Sequence, residues 1–191
     1  MAVFFTSDTH FGHPAILRLS RRLFQSVEEM DAALIVEWNA VVAPNDVVYH
    51  LGDFCFRNVR LAPDYLAALN GEVHLIVGNH DGATLRRHFG IFASVHQIRE
   101  ISLNGKTIVL CHYPMREWHG CWRGSWHFYG HVHGRLNHEQ LGYSLDVGVD
   151  SNRFRPWSFD EIEALFAARE NPFARERPQP VKKTIREPSP P

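Results

Sequence analysis

Three short apolar runs divide the first half of the chain, and each has the length of a buried strand. They are Ala2 to Phe5, Asp46 to Leu51 and Val73 to Val77. Between them, apolar residues recur at helical spacing. This alternation of strands and helices with short joints predicts an α/β fold, with a parallel sheet built from right-handed crossovers.

Capping residues mark the helices of this half. A helix is expected from Pro14, because Pro is tolerated in a first turn. Ser26 and Glu29 form a capping box that opens a second helix, which ends before Pro44. The apolar stripe of that helix is predicted to be Met30, Leu34, Val36 and Val41. The other helices predicted here are Leu61 to Leu69, closed by Asn70-Gly71, and Ala83 to Phe89.

The second half of the chain has a different pattern. Val95 to Leu103 and Lys106 to Cys111 read as strands, and the Asn104-Gly105 pair between them is the strongest short hairpin signal. A further strand is predicted over Tyr143 to Val149. Ser158 and Glu161 form a second capping box, which opens a last helix. This half is therefore partly antiparallel, and the protein is expected to contain mixed sheets.

Polar side chains follow five of the predicted strands, and the segment Val77-Gly78-Asn79-His80-Asp81 is the densest example. Such a segment taken alone is equally typical of a solvated turn. Strand ends of a layered sheet lie side by side, so five polar ends are expected to meet at one edge. Asp, Asn and His supply oxygen and nitrogen ligands that suit Mn²⁺, Fe or Zn²⁺. The residues at these strand ends are Asp8, His10, Asp53, Asn79, His80, His112, His131 and His133.

The composition supports metal or proton chemistry in a single folded unit. Thirteen His among 191 residues are many, and imidazole is the commonest metal ligand. The three Cys have no paired spacing, which argues against disulfides and against a Cys-based zinc site. The chain starts in an apolar strand without a basic leader, and no apolar run approaches membrane-spanning length. We therefore expect a cytoplasmic protein, with no membrane partner.

The charge distribution gives no sign of a nucleic-acid surface on the body of the protein. Residues 171–191 carry five Lys or Arg against two Glu, so residues 1–170 are net acidic within a total of −1. Six of those 21 residues are Pro. We expect one domain over residues 1–170, followed by a disordered Pro-rich basic tail over residues 171–191.

The segment from Met115 to His127 is rich in Trp and Arg. Exposed aromatic and Arg side chains suit a binding surface, because Trp stacks on rings and Arg forks onto phosphate. Another interpretation is that Trp118, Trp122 and Trp126, spaced by four, form one buried helical face. The candidate substrate contacts are Arg116, Trp118, Trp122 and Arg123.

Five motifs together resemble the signature blocks of the calcineurin-like metallophosphoesterases, in the same order. They are Asp8-Thr9-His10, Gly52-Asp53, Gly78-Asn79-His80-Asp81, His112 and Gly130-His131-Val132-His133. The resemblance implies a four-layer α/β/β/α sandwich of two mixed β-sheets, with two divalent metal ions, Mn²⁺ foremost. The start Ser7 to His13 is similar to that of small bacterial or phage-type phosphoesterases.

The resemblance also implies roles for single residues. Asp8, His10 and His133 would bind one metal, Asn79, His112 and His131 would bind the other, and Asp53 would bridge the two. A carboxylate suits a bridge, because an imidazole has only one free lone pair for coordination. Attack by a metal-bridging hydroxide on a small phosphodiester or nucleotide would follow. His80 would be the catalytic proton donor, or else would only orient Asn79 or a water.

Other details of the sequence limit this picture. Asp81 is expected to cap a following helix, although it could instead orient His80. His13 and His50 are extra imidazoles, expected to be structural. Phe54 to Asn58 replaces the second Asp and the Arg-Gly pair of the family's protein phosphatases, so a Ser/Thr protein phosphatase is disfavoured. The alternatives are a nuclease for single-stranded nucleic acid and a non-catalytic scaffold of the same fold, although none of the seven implied ligands is missing.

Overall fold

The computed structural model describes residues 1–56, 62–82, 87–139, 141–171 and 173. Within these residues the strands form two mixed sheets. The strands are β1 Val3–Thr6, β2 Val47–His50, β3 Glu72–Ile76, β4 Ser94–His96, β5 Ile98–Leu103, β6 Lys106–Cys111, β7 Trp126–Tyr129, β8 Ser144–Asp146 and β9 Trp157–Ser158. The helices are α1 Pro14–Leu19, α2 Val27–Val41, α3 Ala62–Ala67 and α4 Phe159–Ala167.

The first sheet has the order β4-β3-β2-β1-β9. Strands β1 to β4 are parallel neighbours, and β9 pairs antiparallel with β1. The second sheet has the order β5-β6-β7-β8, antiparallel between β5 and β6 and parallel from β6 to β8. The predicted α/β sandwich with two mixed sheets is confirmed.

Alternate residues of the strands face different cores. Phe4 packs with the apolar side of α2, whereas its neighbour Phe5 packs with Phe128 of the second sheet and with Ile162 of α4. Successive side chains of a strand point to opposite faces, so one run such as Val3–Thr6 serves both layers. The first sheet is therefore covered by helices on one face and by the second sheet on the other.

Capping explains where two of the helices begin. The Ser26 hydroxyl accepts a hydrogen bond from the Glu29 N–H at the start of α2. At the start of α4, Ser158 and Glu161 form the complete reciprocal box. Both predicted N-termini are confirmed. In the stripe of α2, Met30 and Leu34 are buried with Trp38, but Val36 is 65% exposed, so its predicted core position is wrong.

Two sequence predictions differ in detail from the structure. The single strand predicted over Val95 to Leu103 is divided at Gln97, because β4 ends the first sheet and β5 begins the second. The Asn104-Gly105 hairpin is confirmed, and both residues have positive φ, 48° and 74°. The helix predicted over Ala83 to Phe89 falls largely on residues 83–86, outside the described residues, and Phe89–Ile91 is a 3₁₀ turn.

The start of the predicted tail packs onto the body. Phe173 is buried against Trp118 and Trp122, and the Asn171 amide donates to the Cys121 carbonyl at 3.1 Å. The rest of the predicted tail, with residue 172, lies outside the described residues. Among the helices of the described part, none is both long and apolar enough to cross a membrane.

Candidate metal centre

Backbone hydrogen bonds tie together the loops that follow the strands. The Asp8 N–H donates to the Gly52 carbonyl, and the His10 N–H donates to the Asp53 carbonyl, both at 3.0 Å. The Gly130 N–H donates to the His112 carbonyl at 2.9 Å. These bonds bring the polar residues after β1, β2, β6 and β7 to one edge of the two sheets, as the sequence predicts.

Three of these residues, Asp8, His10 and His133, form what we call the first cluster. Each offers one ligand atom, and the three atoms lie within 4.8 Å of one another. Asp8 Oδ1 and His10 Nε2 are 4.0 Å apart, and both are buried without a hydrogen-bond partner. Buried polar atoms are normally satisfied, so this orphaned pair fits the ligand atoms of a cation.

The second cluster consists of Asp53, His112 and His131, whose ligand atoms also lie within 4.8 Å of one another. The Asn79 side-chain oxygen is 3.0 Å from His112 Nε2 and 2.8 Å from His131 Nδ1, so Asn79 adds a fourth donor. Asp53 Oδ2 lies between the clusters, 3.6 Å from His10 Nε2 and 3.5 Å from His112 Nε2. All seven implied ligands are thus brought together, in two groups joined by Asp53.

The backbone at this edge is strained. Five of the seven residues have positive φ, a region that non-glycine residues adopt at a cost of about 1–3 kcal/mol each. They are Asp8 at 58°, His10 at 50°, Asp53 at 56°, His131 at 70° and His133 at 50°. Such strain persists only where surrounding contacts impose it, and it concentrates at functional sites. The folded chain therefore stabilises this side-chain arrangement against local preference.

Two glycines allow the loops to approach closely. A Cβ at Gly78 would collide with the Asp53 carboxylate, and a Cβ at Gly130 would collide with Ser7 Oγ and Asp8 Oδ2. Gly78 is therefore needed for close approach, as the sequence suggests. A side chain at either glycine would displace a carboxylate of the centre, Asp53 or Asp8.

Burial and the neighbouring imidazoles shift the pKa values of the two carboxylates in opposite directions. Desolvation raises the pKa of Asp8 to about 7, because ionising a buried carboxyl is costly. Burial would also raise the pKa of Asp53, but the hydrogen bond from His112 and its charge outweigh this and lower the pKa to about 2. A bound cation would offset the cost of ionising Asp8. The donor set and the unpaired buried atoms thus fit a divalent metal.

His80 lies at the exposed rim of the centre. Its backbone N–H donates to Asp53 Oδ1 at 2.7 Å, and its ring centroid is 5.2 Å from that of His10. The His80 side chain belongs to neither cluster. This position leaves the imidazole available to a group bound at the centre, and its role as proton donor stays a prediction.

Asp81 joins two loops of the site, while the helix that the sequence expects it to cap would begin at residues 83–86, outside the described residues. Its carboxylate is 1% exposed and accepts three backbone hydrogen bonds, from Asp53 at 2.9 Å, from Phe54 at 2.9 Å and from Gly78 at 2.7 Å. Asp81 therefore joins the loop after β2 to the loop after β3. This arrangement fixes the backbone of Asp53.

Sequence reasoning missed three further charged residues beside the centre. Arg22 is buried and forms a two-point ion pair with Asp150, which in turn accepts a hydrogen bond from His133. Asp146 accepts from the backbone N–H groups of Gly134 and Gly148. No motif marks these positions in the sequence. Only the contacts made in the fold identify them.

The two unassigned imidazoles differ. His50 is fully buried between the Thr9 hydroxyl at 3.0 Å and the Gly52 N–H at 3.2 Å, and burial lowers its pKa to about 3, so it is a neutral structural residue as expected. His13 Nδ1 lies 3.3 Å from His10 Nδ1, and its ring stacks on Phe56 with centroids 3.9 Å apart. His13 therefore supports the first cluster from outside.

The Trp-rich segment does not form the exposed aromatic surface that the sequence suggests. Trp118 is buried, and its indole donates to the Ser125 carbonyl, while Trp122 packs on Phe173. Trp126 belongs to β7, so the three rings do not share one helix either. The predicted burial of Trp118 and Trp126 is confirmed, but the shared helical face is wrong. Trp118 packs with Val109 and Phe173, whereas Trp126 packs with Phe128 and Phe166 in a different core.

The two Arg of the segment remain exposed. Arg123 lines a pocket with Gly105 and Lys106, at the hairpin end of β6, whereas His112 follows the opposite end of that strand. Arg123 is thus placed away from the centre. The assignment of Arg116 as a substrate contact stays a prediction.

The fold and the paired clusters define a metal-dependent phosphoesterase class, and comparison with known proteins agrees. Residues 1–145 match the calcineurin-like phosphoesterase superfamily domain. The chain therefore belongs to the calcineurin-like phosphoesterases, and it is a metal-dependent hydrolase of phosphate esters. The family that the five motifs resemble is confirmed.

Individual relatives are similar over different lengths. The chain is 35% identical to the uncharacterized protein MJ1445 of Methanocaldococcus jannaschii over 172 residues, which are 85% of this chain and 90% of that protein. It is 40% identical to the gene 66 protein of Mycobacterium phage L5 over 81 residues, 41% of this chain and 39% of that one. The solved structure of the protein of unknown function AQ665 from Aquifex aeolicus superposes with a TM-score of 0.70 and 26% identity, over 86% of this chain and 98% of that chain.

Proposed function

We propose that this chain hydrolyses a small phosphodiester or nucleotide at a dinuclear metal centre. The first cluster, Asp8, His10 and His133, would hold one ion, and Asn79, His112 and His131 would hold the other. Asp53 would bridge the two. The observation that carries the proposal is the position of Asp53 Oδ2, which is 3.6 Å from His10 Nε2 and 3.5 Å from His112 Nε2.

The donor set indicates which ions suit the centre. Its ligands are carboxylate, amide and imidazole groups without a thiolate, which suits Mn²⁺, and also Fe or Zn²⁺. The residues of the two clusters would hold the ions, which would lower the pKa of a bound water and stabilise the charge that develops on the phosphate.

His80 is proposed to donate a proton to the leaving oxygen. Its ring lies at the exposed rim, within 5.2 Å of the His10 ring and 5.9 Å of the His13 ring. General acid catalysis needs a group of near-neutral pKa within hydrogen-bond reach of the leaving atom. An unligated imidazole beside the metal ligands suits this task.

The proposed setting is a reducing, cytoplasmic compartment. Cys55, Cys111 and Cys121 are free thiols in the structure. Free cysteines are usual where thiols are kept reduced. Export of the protein to an oxidising compartment in its native host would contradict this part of the proposal.

A panel assay tests the proposed substrate class. The full chain, stripped with a chelator and reloaded with Mn²⁺, is incubated with an aryl phosphomonoester, an aryl phosphodiester, cyclic nucleotides and single-stranded DNA. We expect the diester or the nucleotides to be turned over, with loss of activity after chelation. Turnover of single-stranded DNA alone would favour a nuclease. Two bound ions without any turnover would favour a scaffold.

A further inference from the structure

Arg22 is a buried cation close to the first cluster. It lies in the segment between α1 and α2, and only 4% of it is exposed. A guanidinium keeps its charge in proteins, so burying it requires partners for its N–H groups. Those partners therefore reveal what the residue does.

The guanidinium holds two parts of the site at once. Nη1 donates to the Thr9 carbonyl at 3.0 Å, and Nη2 donates to the Asp8 carbonyl at 2.6 Å. Nε and Nη2 also donate to the two carboxylate oxygens of Asp150, both at 2.8 Å. The guanidinium thus fixes the strained backbone of Asp8 and, at the same time, the carboxylate of Asp150, 128 residues further along the chain.

Asp150 in turn contacts His133, a proposed metal ligand. Its Oδ2 accepts from Nδ1 of His133 at 2.7 Å. An imidazole that donates from Nδ1 presents its Nε2 lone pair to a metal, and the other tautomer does not. Asp150 therefore selects the ring tautomer that can coordinate, and it also sets the direction of the ring.

We infer that Arg22 and Asp150 are positioning residues, which lock Asp8 and His133 into one preassembled half of the metal centre. The inference rests on the proposed function, because it concerns a proposed ligand of the first ion. In this arrangement Arg22 orients Asp150 and the Asp8 backbone, and Asp150 orients His133. Neither side chain touches the substrate.

The lock acts on one cluster only. In the part of the chain that the structure describes, neither Arg22 nor Asp150 forms a hydrogen bond or an ion pair with Asp53, His112 or His131. The second cluster is fixed instead by Asp81 and the Leu51 carbonyl. Weakening the lock should therefore lower the affinity for the first ion and leave the second ion bound. A purely structural role would lower the stability of the fold without this selectivity.

Asp150→Asn is the sharpest variant, because it keeps the shape and changes one acceptor into a donor. An NH₂ in the Oδ2 position would face both His133 Nδ1 and Arg22 Nη2, and one in the Oδ1 position would face Arg22 Nε. In either orientation the neutral amide is a weaker acceptor than the carboxylate, so the Nδ1-protonated tautomer of His133 loses its charge-assisted partner. Arg22→Lys is a second variant, because a single ammonium group cannot reproduce the planar fork that reaches both Asp150 and the Asp8 carbonyl.

The experiment measures Mn²⁺ binding to the full chain together with the His133 tautomer. In the wild type, ¹⁵N spectra of the metal-free protein should place the proton on Nδ1, and calorimetry should resolve two binding steps. In Asp150→Asn and Arg22→Lys we expect one step, that of the first ion, to weaken by roughly 10- to 100-fold, with the other step unchanged. Asp150→Asn should also shift His133 toward the other tautomer.

Arg155→Lys is the matched control, because Arg155 pairs with Glu161 at 2.6 Å at the start of α4, away from both clusters. It should leave binding and the tautomer unchanged, and circular dichroism checks that each variant is folded. The inference is overturned if folded Asp150→Asn keeps both binding steps and the wild-type tautomer. If the wild type itself binds no ion at the first cluster, the proposed function fails, while the tautomer of the metal-free protein still tests the lock.

Discussion

The two clusters of the proposed centre use similar side chains but are held in different ways. In the first, Asp8 and His10 are 0% and 1% exposed. Arg22 donates to the Asp8 carbonyl, and Asp150 accepts from His133. In the second, Asp53 and His112 are equally buried, and only the fourth donor, Asn79, is exposed. An exposed ligand has to be ordered when the ion binds, which costs binding free energy. We therefore propose that the first ion binds more tightly and that the substrate enters over the second cluster.

An exposed aromatic ring supports this asymmetry. Tyr113 is 46% exposed, and its ring packs on His112 and His131, with centroids 5.0 Å and 4.9 Å apart. A half-exposed ring beside the second cluster offers a surface for an apolar or aromatic part of an ester. Beside the first cluster, the neighbouring ring is that of His13, which is buried and stacks on Phe56.

Asp53→Asn should have the largest effect, because it removes the one charge shared by the two clusters. We expect kcat/KM to fall by roughly 10³-fold or more, which corresponds to about 4 kcal/mol of transition-state stabilisation. Assays with added Mn²⁺ measure the loss of activity, and metal analysis of the purified protein measures the loss of bound metal. Asp160→Asn, on the exposed side of α4, is the control. Full activity of Asp53→Asn would refute the bridging role.

His80→Ala tests the residue that belongs to neither cluster. We expect turnover to fall by about 10²- to 10⁴-fold through loss of the proton donor, while the metal content stays at the wild-type level. Steady-state kinetics and metal analysis on the same sample separate the two quantities. His138→Ala removes an exposed imidazole elsewhere and should change neither. Loss of metal together with activity would contradict the assignment of His80.

Asp81→Ala tests the frame of the second cluster. The substitution leaves three buried backbone N–H groups without acceptors, and each such loss costs roughly 1–3 kcal/mol. We expect the free energy of unfolding of the metal-free protein to fall by at least about 3 kcal/mol, measured by urea denaturation. A change within experimental error would show that water or other groups replace the carboxylate.

Asn79→Ala and His133→Ala form a reciprocal pair that sharpens the comparison. Asn79→Ala should weaken the second, weaker binding step for Mn²⁺ by at least about tenfold, and His133→Ala should weaken the first, tighter step instead. Stepwise calorimetric titration distinguishes the two. If both variants weaken the same step, the division of ligands between the ions is wrong.

A pH titration tests a region outside both clusters. Burial lowers the pKa of His127 to about 4, and its Nε2 accepts from the Met115 N–H at 3.1 Å. Its folded pKa lies below its unfolded pKa of about 6.5, so the unfolded state binds the extra proton first. Stability should therefore be full above about pH 6.5 and should fall toward pH 4, by up to about 1.4 kcal/mol per pH unit. His127→Gln should flatten this part of the profile. An unchanged slope would show that His127 does not cause the loss of stability.

The sequence predicts the polar edge of the two sheets well because its signals are local. Strand-length apolar runs followed by Asp, Asn or His place Asp8, Asp53 and His112 correctly, since strand ends in a layered fold lie side by side. Capping boxes at Ser26 and Ser158 mark helix starts for the same reason, because the partners are three residues apart.

The parts that could not be predicted depend on contacts between distant residues. Arg22 and Asp150 lie 128 positions apart, and nothing local to either marks a partnership. The sequence marks Asp81 only as a local cap of the following helix, yet among the described residues it also accepts from the N–H groups of Asp53 and Phe54, in the loop after β2. Trp118 resembles a binding residue only until the sheet face that it covers is known. Tertiary packing decided each of these cases.

The most direct test of the dinuclear centre is Mn²⁺ titration of the metal-free full chain, followed by electron paramagnetic resonance. The account predicts two ions per chain, bound in two steps of different affinity, with the exchange coupling expected of ions that share the Asp53 carboxylate. A single bound ion, or two ions without magnetic coupling, would contradict it.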